Sequence, residues 1–132
     1  REEIASFGGD PKFLRSVRWH EKVVERYARQ QAGELKPYVM QLHALRLGDV
    51  AITTNNFELF TQYGIQMKAK SPALHTFVIQ LAGPGSYVPT PHAAAGGGYS
   101  AIVQSNEVGP EGGQMLVDET VKAVKGLWAE AN

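Results

Sequence analysis

Two oxygen-bearing side chains stand where a 132-residue chain without cysteine could do chemistry. Glu58 lies within GDVAITTNNFELF, Gly48 to Phe60, where the β-branched run Val50 to Thr54 reads as a strand and Phe57, Phe60, Gly64 and Met67 shift to helical spacing. Ligands of α/β proteins gather at the carboxyl ends of strands, so a carboxylate at that junction is a candidate for chemistry. Tyr87 lies in a Gly/Pro-rich stretch, Gly83 to Gly113, with His92, Tyr99 and Glu107. Irregular segments longer than about 12–15 residues are usually functional or disordered, and this one reads as functional. Without thiolates, any metal must be held by His, carboxylate or phenolate.

Each candidate also has a plain structural role. With Asn55 as helix N-cap, Glu58 occupies the capping-box position and can accept the cap's own amide proton. Tyr87 in a loop is by default a half-buried aromatic whose hydroxyl bonds to backbone or water. His75 and His92 could join Glu58 in a self-contained site, against the commoner role of surface histidines in hydrogen bonds. Gly96, Gly97 and Gly98 lack the following Lys and Ser/Thr of a phosphate loop, and read as a sharp turn or close backbone packing.

The elements that must position these groups follow from periodicity and punctuation. Asp10 and Pro11 open a helix whose face carries Phe13, Val17, His20, Val24 and Tyr27, and Gly33 stops it; residues 1–9 form a lead-in. Tyr38 to Leu47 reads as a strand covered on one face and partly on the other, not as an exposed edge. Gly48 and Asp49 turn it into an antiparallel partner, Val50 to Thr54. A helix from Asn55 or Asn56 to Lys70 leads to a strand from Leu74 to Ala82, parallel to the second by the right-handed crossover rule. Tyr99 to Gln104 could be one short strand. Gly109 and Pro110 launch a last helix with Val117, Val121, Val124 and Trp128 on its buried stripe.

Thirteen basic and thirteen acidic residues cancel to a formal net charge of +0, which removes the electrostatic case for nucleic acid. No apolar run approaches the roughly 20 residues of a transmembrane helix. The expectation is one domain over residues 1–132, and a start at Arg1 instead of Met reads as a piece of a longer protein.

The segments GDVAITTNNFELF, KAKSPALHTFVIQLAG, SYVPTPHAAAGGGYSA and VGPEGGQMLVDETV together resemble neutral/alkaline (non-lysosomal) ceramidases, and more closely bacterial ceramidase-like proteins of unassigned substrate, from Leu45 to about Trp128. The resemblance implies the C-terminal part of a zinc amidohydrolase that cleaves the amide bond of N-acylsphingosine-like lipids. It implies Glu58 and Tyr87 as two metal ligands, with two zinc histidines in the upstream part of the parent domain. Asn56 and Phe57 stand where the family has Pro and Gly before its Glu, whereas Tyr87, Val88, Pro89 and Thr90 follow the family's context closely. The implied partners are the remainder of the parent domain and a lipid amide substrate, and such proteins are often secreted or extracytoplasmic. No catalytic residue is assigned within this chain, and the isolated chain is expected to be inactive.

The expected fold is α+β or α/β, with a mixed three- to four-stranded sheet, about three flanking helices and a long Gly/Pro-rich loop. The alternative function, from another class, is a non-catalytic ligand- or partner-binding α+β domain in which Glu58 caps its helix.

Overall fold

The computed structural model describes residues 1–129 of the chain, which divides into two compact units, Arg1–Tyr38 and Val39–Asn132. The first unit is helical. Helix α1, Glu2–Ser6, occupies what the sequence leaves as a lead-in, and a 3-10 turn, Pro11–Phe13, precedes α2, Leu14–Gln31. Asp10 caps that turn by accepting the Lys12 amide, and the Lys12 ammonium lies 2.9 Å from its carboxylate. Both contacts hold the Asp10 carboxyl below its ordinary range, the side-chain contact most. Phe7 stacks at 5.0 Å from Phe13 and 5.8 Å from His20, giving α1 an apolar footing on α2.

The second unit is α+β. Its mixed sheet has the order β1-β2-β4, from β1 (His43–Leu47), β2 (Val50–Thr54) and β4 (His75–Ile79). The turn at Gly48, φ 58°, sets Leu47 opposite Val50 in the antiparallel pair. Helix α3, Thr61–Lys70, makes the crossover that leaves β2 and β4 parallel, with Ile52 opposite Phe77. A second sheet pairs β3 (Glu58–Leu59) with β5 (Tyr87–Val88), also parallel. After α4, Pro91–Gly96, and a 3-10 turn, Val103–Ser105, helix α5 runs from Pro110 to Ala129.

Two expectations about strands change. The first strand starts only at His43, and it lies at the sheet edge, because β4 takes the place beyond β2. Tyr99 to Gln104 forms no strand: the amides of Ala101 and Ile102 turn back onto the Gly98 carbonyl, and a 3-10 turn follows. Gly97 and Gly98 both have positive φ, so local backbone turning overrides the β-branched character of this stretch.

The core gathers Phe57, Leu59, Tyr63, Met67, Val88, Leu116, Val117 and Val121, with Val78, Met40 and Leu42 packed against it. Alternation puts Ala51 and Thr53 of the central strand on the buried face. The opposite face carries Leu45, Ile52 and Phe77 in one row across the three strands, and Leu45 and Phe77 are more than half exposed. Arg46 ties β1 to the end of α5: its guanidinium donates to the Leu127 carbonyl at 3.0 Å and lies 4.2 Å from the Trp128 ring centre.

Tyr63 is the buried polar point of this core, donating its hydroxyl toward the carbonyls of Pro89 at 2.9 Å and Pro110 at 3.1 Å. Burial, then the charge of Glu111, pushes its phenol above the ordinary value. The neutral phenol therefore stabilises the fold fully below about pH 10, and that contribution is lost as pH rises through the folded value. Tyr63→Phe is expected to lower the unfolding free energy by about 0.5–1.5 kcal/mol near neutral pH. The variant should also lose less stability than the wild type between about pH 8 and about pH 10.5, as read by urea titrations at both.

Candidate functional site

The two parallel pairs are successive stretches of the same two chain segments. One runs through β2 into β3 by way of residues 55–57, and the other through β4 into β5 by way of the longer residues 80–86. Side chains and amides alternate along β3. On one edge Glu58 donates its amide to the Ser86 carbonyl at 3.1 Å, and Phe60 donates to Val88 at 3.3 Å. On the other edge the Phe57 carbonyl accepts from Leu81 at 3.3 Å, and the Leu59 amide donates to the side-chain oxygen of Gln80 at 2.6 Å. Residues 80–86 therefore pass from one edge of β3 to the other.

That passage runs against Asn56. A Cβ on Gly85 would fall 2.2 Å from the Asn56 carbonyl oxygen, and one on Gly83 would fall 2.7 Å from its side-chain oxygen. Asn55 secures the near side: its amide donates to the Ile79 carbonyl, its carbonyl accepts from Ala82, and its side-chain oxygen accepts from Phe57 at 3.0 Å. Leu81 reaches this crossing with φ 54°, a left-handed conformation costly for a branched side chain.

The product of the crossing is one rung in which Glu58 stands opposite Tyr87. Hydrogen bonding to Glu58 is the main reason the Tyr87 phenol is held above its ordinary value; burial and the charges of Glu58 and Tyr99 act in the same direction. Tyr99 sets its ring edge-on to Tyr87, with centres 6.1 Å apart. The glycine turn thus delivers a second phenol ring beside the first. Ser86 joins Glu107 to the same corner by accepting its amide at 2.9 Å.

The capping-box role for Glu58 is corrected by these positions. Residues 58–59 are extended, helix α3 starts at Thr61, and Phe60 stands at its N-cap. The Asn55 side chain instead turns the backbone two residues on, a local use of Asn that competes with capping. Phe57 is drawn into the core at 3 % exposure, which keeps the preceding segment extended past the point where helical spacing begins.

His75 does not join Glu58. It opens β4 opposite Val50, at the far end of the strand pair from the crossing. His92 is exposed on α4, whose first turn is capped by the Thr90 hydroxyl. Among the described residues, no three His, Cys, Asp or Glu side chains come together. What sequence reasoning missed was the crossing and Gln80. A single Gln after an apolar strand carries no local signal, whereas the spacing of Gly83 and Gly85 opposite NNF was visible without its meaning.

Compared with known proteins, the chain matches no family model, no curated protein and no solved structure.

Two outcomes follow from the geometry. Gly85→Ala should destabilise the fold by about 1–3 kcal/mol through the clash with Asn56, whereas Gly126→Ala, which meets open space in α5, should not destabilise it. Chemical denaturation of both variants checks this. In Glu58→Ala the Tyr87 hydroxyl loses its acceptor and the nearby negative charge, so its ionisation should move down toward the ordinary value near about 10, followed by absorbance or tyrosine ring NMR.

Proposed function

We propose that this chain is the C-terminal part of a zinc-dependent amidohydrolase of the neutral ceramidase kind, with Glu58 and Tyr87 supplying two of the metal's ligands. The observation that carries the reading is the rung itself: a carboxylate and a phenol, distant in sequence, stand opposite each other across parallel strands, and Glu58 holds the Tyr87 phenol above its ordinary value. A cation accepted between those oxygens replaces the phenol proton, so its binding strengthens as pH rises.

The donor set fits half of a zinc site. Zinc takes four ligands in most protein sites, and among the described residues Glu58 belongs to no group of three His, Cys, Asp or Glu side chains that could hold a metal. The remaining ligands are assigned to histidines of the parent domain, and the isolated chain is assigned no activity. Zinc, when bound, polarises an amide carbonyl and makes hydroxide available near neutral pH. In this scheme Glu58 and Tyr87 fix the metal's position, and the substrate class is the amide bond of an N-acylsphingosine-like lipid. The apolar row of Leu45, half-buried Ile52 and Phe77, exposed at its two ends, supports a sheet that packs against more of the parent domain.

That same row also favours the second reading, a non-catalytic domain that binds a protein partner through its sheet, with Glu58 and Tyr87 serving only to join β3 to β5. Metal analysis of the full-length parent separates the two. The hydrolase reading expects bound zinc, and at least about a tenfold loss of zinc affinity in both Glu58→Ala and Tyr87→Phe, accompanied by loss of amide hydrolysis. Unchanged zinc affinity in both variants, or a parent without zinc, leaves the partner-binding reading.

A further inference from the structure

The Glu58–Tyr87 rung depends on how a two-residue strand is held, and the structure shows a side chain doing part of a strand's work. A β-strand carries hydrogen bonds on both edges, and β5 pairs with only one edge of β3, the one that carries the Glu58 amide. On its other edge, Leu81 supplies an amide to the Phe57 carbonyl. A regular parallel neighbour would next offer the Leu81 carbonyl to the Leu59 amide. At φ 54°, however, Leu81 turns the chain away, and Ala82 goes on to donate to Asn55. The Leu59 amide is taken instead by the Gln80 side-chain oxygen at 2.6 Å.

We propose that Gln80 is a positioning residue for Glu58, its side-chain amide oxygen replacing the absent strand carbonyl and fixing the rotation of β3 that turns the Glu58 carboxylate toward Tyr87. Leu59 is buried at 9 % exposure, so its amide has little water to fall back on when the Gln80 oxygen is lost. Adjacent residues of a strand point to opposite faces, so a twist that frees Leu59 turns Glu58 by the same amount. The acceptor is also well placed. Gln80, itself exposed, lines an open groove of about 180 Å³ with Leu59, Gly64, Lys68 and Val78, which brings its side chain beside the strand.

The role rests on the Glu58–Tyr87 pairing and deepens the zinc reading without depending on it. The test uses the whole 132-residue chain. In the unmutated protein, NMR should show a through-hydrogen-bond coupling between the Leu59 amide nitrogen and the Gln80 side-chain carbonyl carbon. In Gln80→Leu, the Leu59 amide should exchange about tenfold faster while α5 amides keep their rates, and the Tyr87 ring Cζ signal should move to its position in Glu58→Ala. Gln80→Glu, which keeps an acceptor oxygen, should restore both.

A Leu59 amide that exchanges faster with Tyr87 unmoved would make Gln80 a local staple only and overturn the proposal. Absence of the coupling in the unmutated chain overturns it as well, including where Gln80→Leu fails to fold. In the full-length parent, Gln80→Leu should weaken zinc binding and Gln80→Glu should retain it. A parent that holds no zinc removes the hydrolase reading and leaves the NMR outcome standing.

Discussion

Everything near the candidate site depends on one steric constraint: residues 80–86 must cross β3 beside Asn56, and there is no room there for a side chain on Gly85. The crossing decides which edge of β3 each partner occupies. If the chain stayed on the Leu81 edge in the register of β4, Gly83 would stand opposite Glu58, and Tyr87 would come only opposite Gln62, already within α3. Because it passes over, Ser86 and Val88 receive the Glu58 and Phe60 amides, and the carboxylate and phenol meet. The division into two sheets and the pairing of Glu58 with Tyr87 are one event.

The crossing is expensive locally. It uses a left-handed Leu81 and leaves the Leu59 amide to a side chain. The core compensates. Phe57, Leu59 and Val88 are buried together with Tyr63, Met67 and the Leu116–Val117–Val121 stripe of α5, so both short strands are anchored by the residues flanking their polar members. Tyr63 adds a polar tie by bonding the carbonyl of Pro89, directly after β5. Apolar burial holds the backbone, and the polar side chains are displayed on what it holds.

An apolar row on one face of a partly parallel sheet and the pairing of Glu58 with Tyr87 across β3 and β5 lie in the same unit. Parallel pairs are ordinarily covered on both faces, and here α3 contacts β4 while α5 contacts β1 and β2. The proposed hydrolase uses both features, the row for packing within a parent domain and the rung for half of its metal site.

The α+β class, the hairpin at Gly48, the parallel pairing of β2 with β4 and the stripe of α5 were legible in the residues. Each depends on interactions close in sequence or on a topological rule that admits one outcome. Helix α3 was legible in kind but misplaced at its start, and with it the role of Glu58. Asn55 and the spacing of Phe57 and Phe60 are equally suited to a helix or an extended entry, and only burial of Phe57 and Leu59 against α5 selects the latter. Glu58 and Tyr87 could each be singled out by residue type and by family resemblance. That they face each other, with Gln80 behind them, came from the crossing, where two segments distant in sequence exclude each other's side chains and so fix their register.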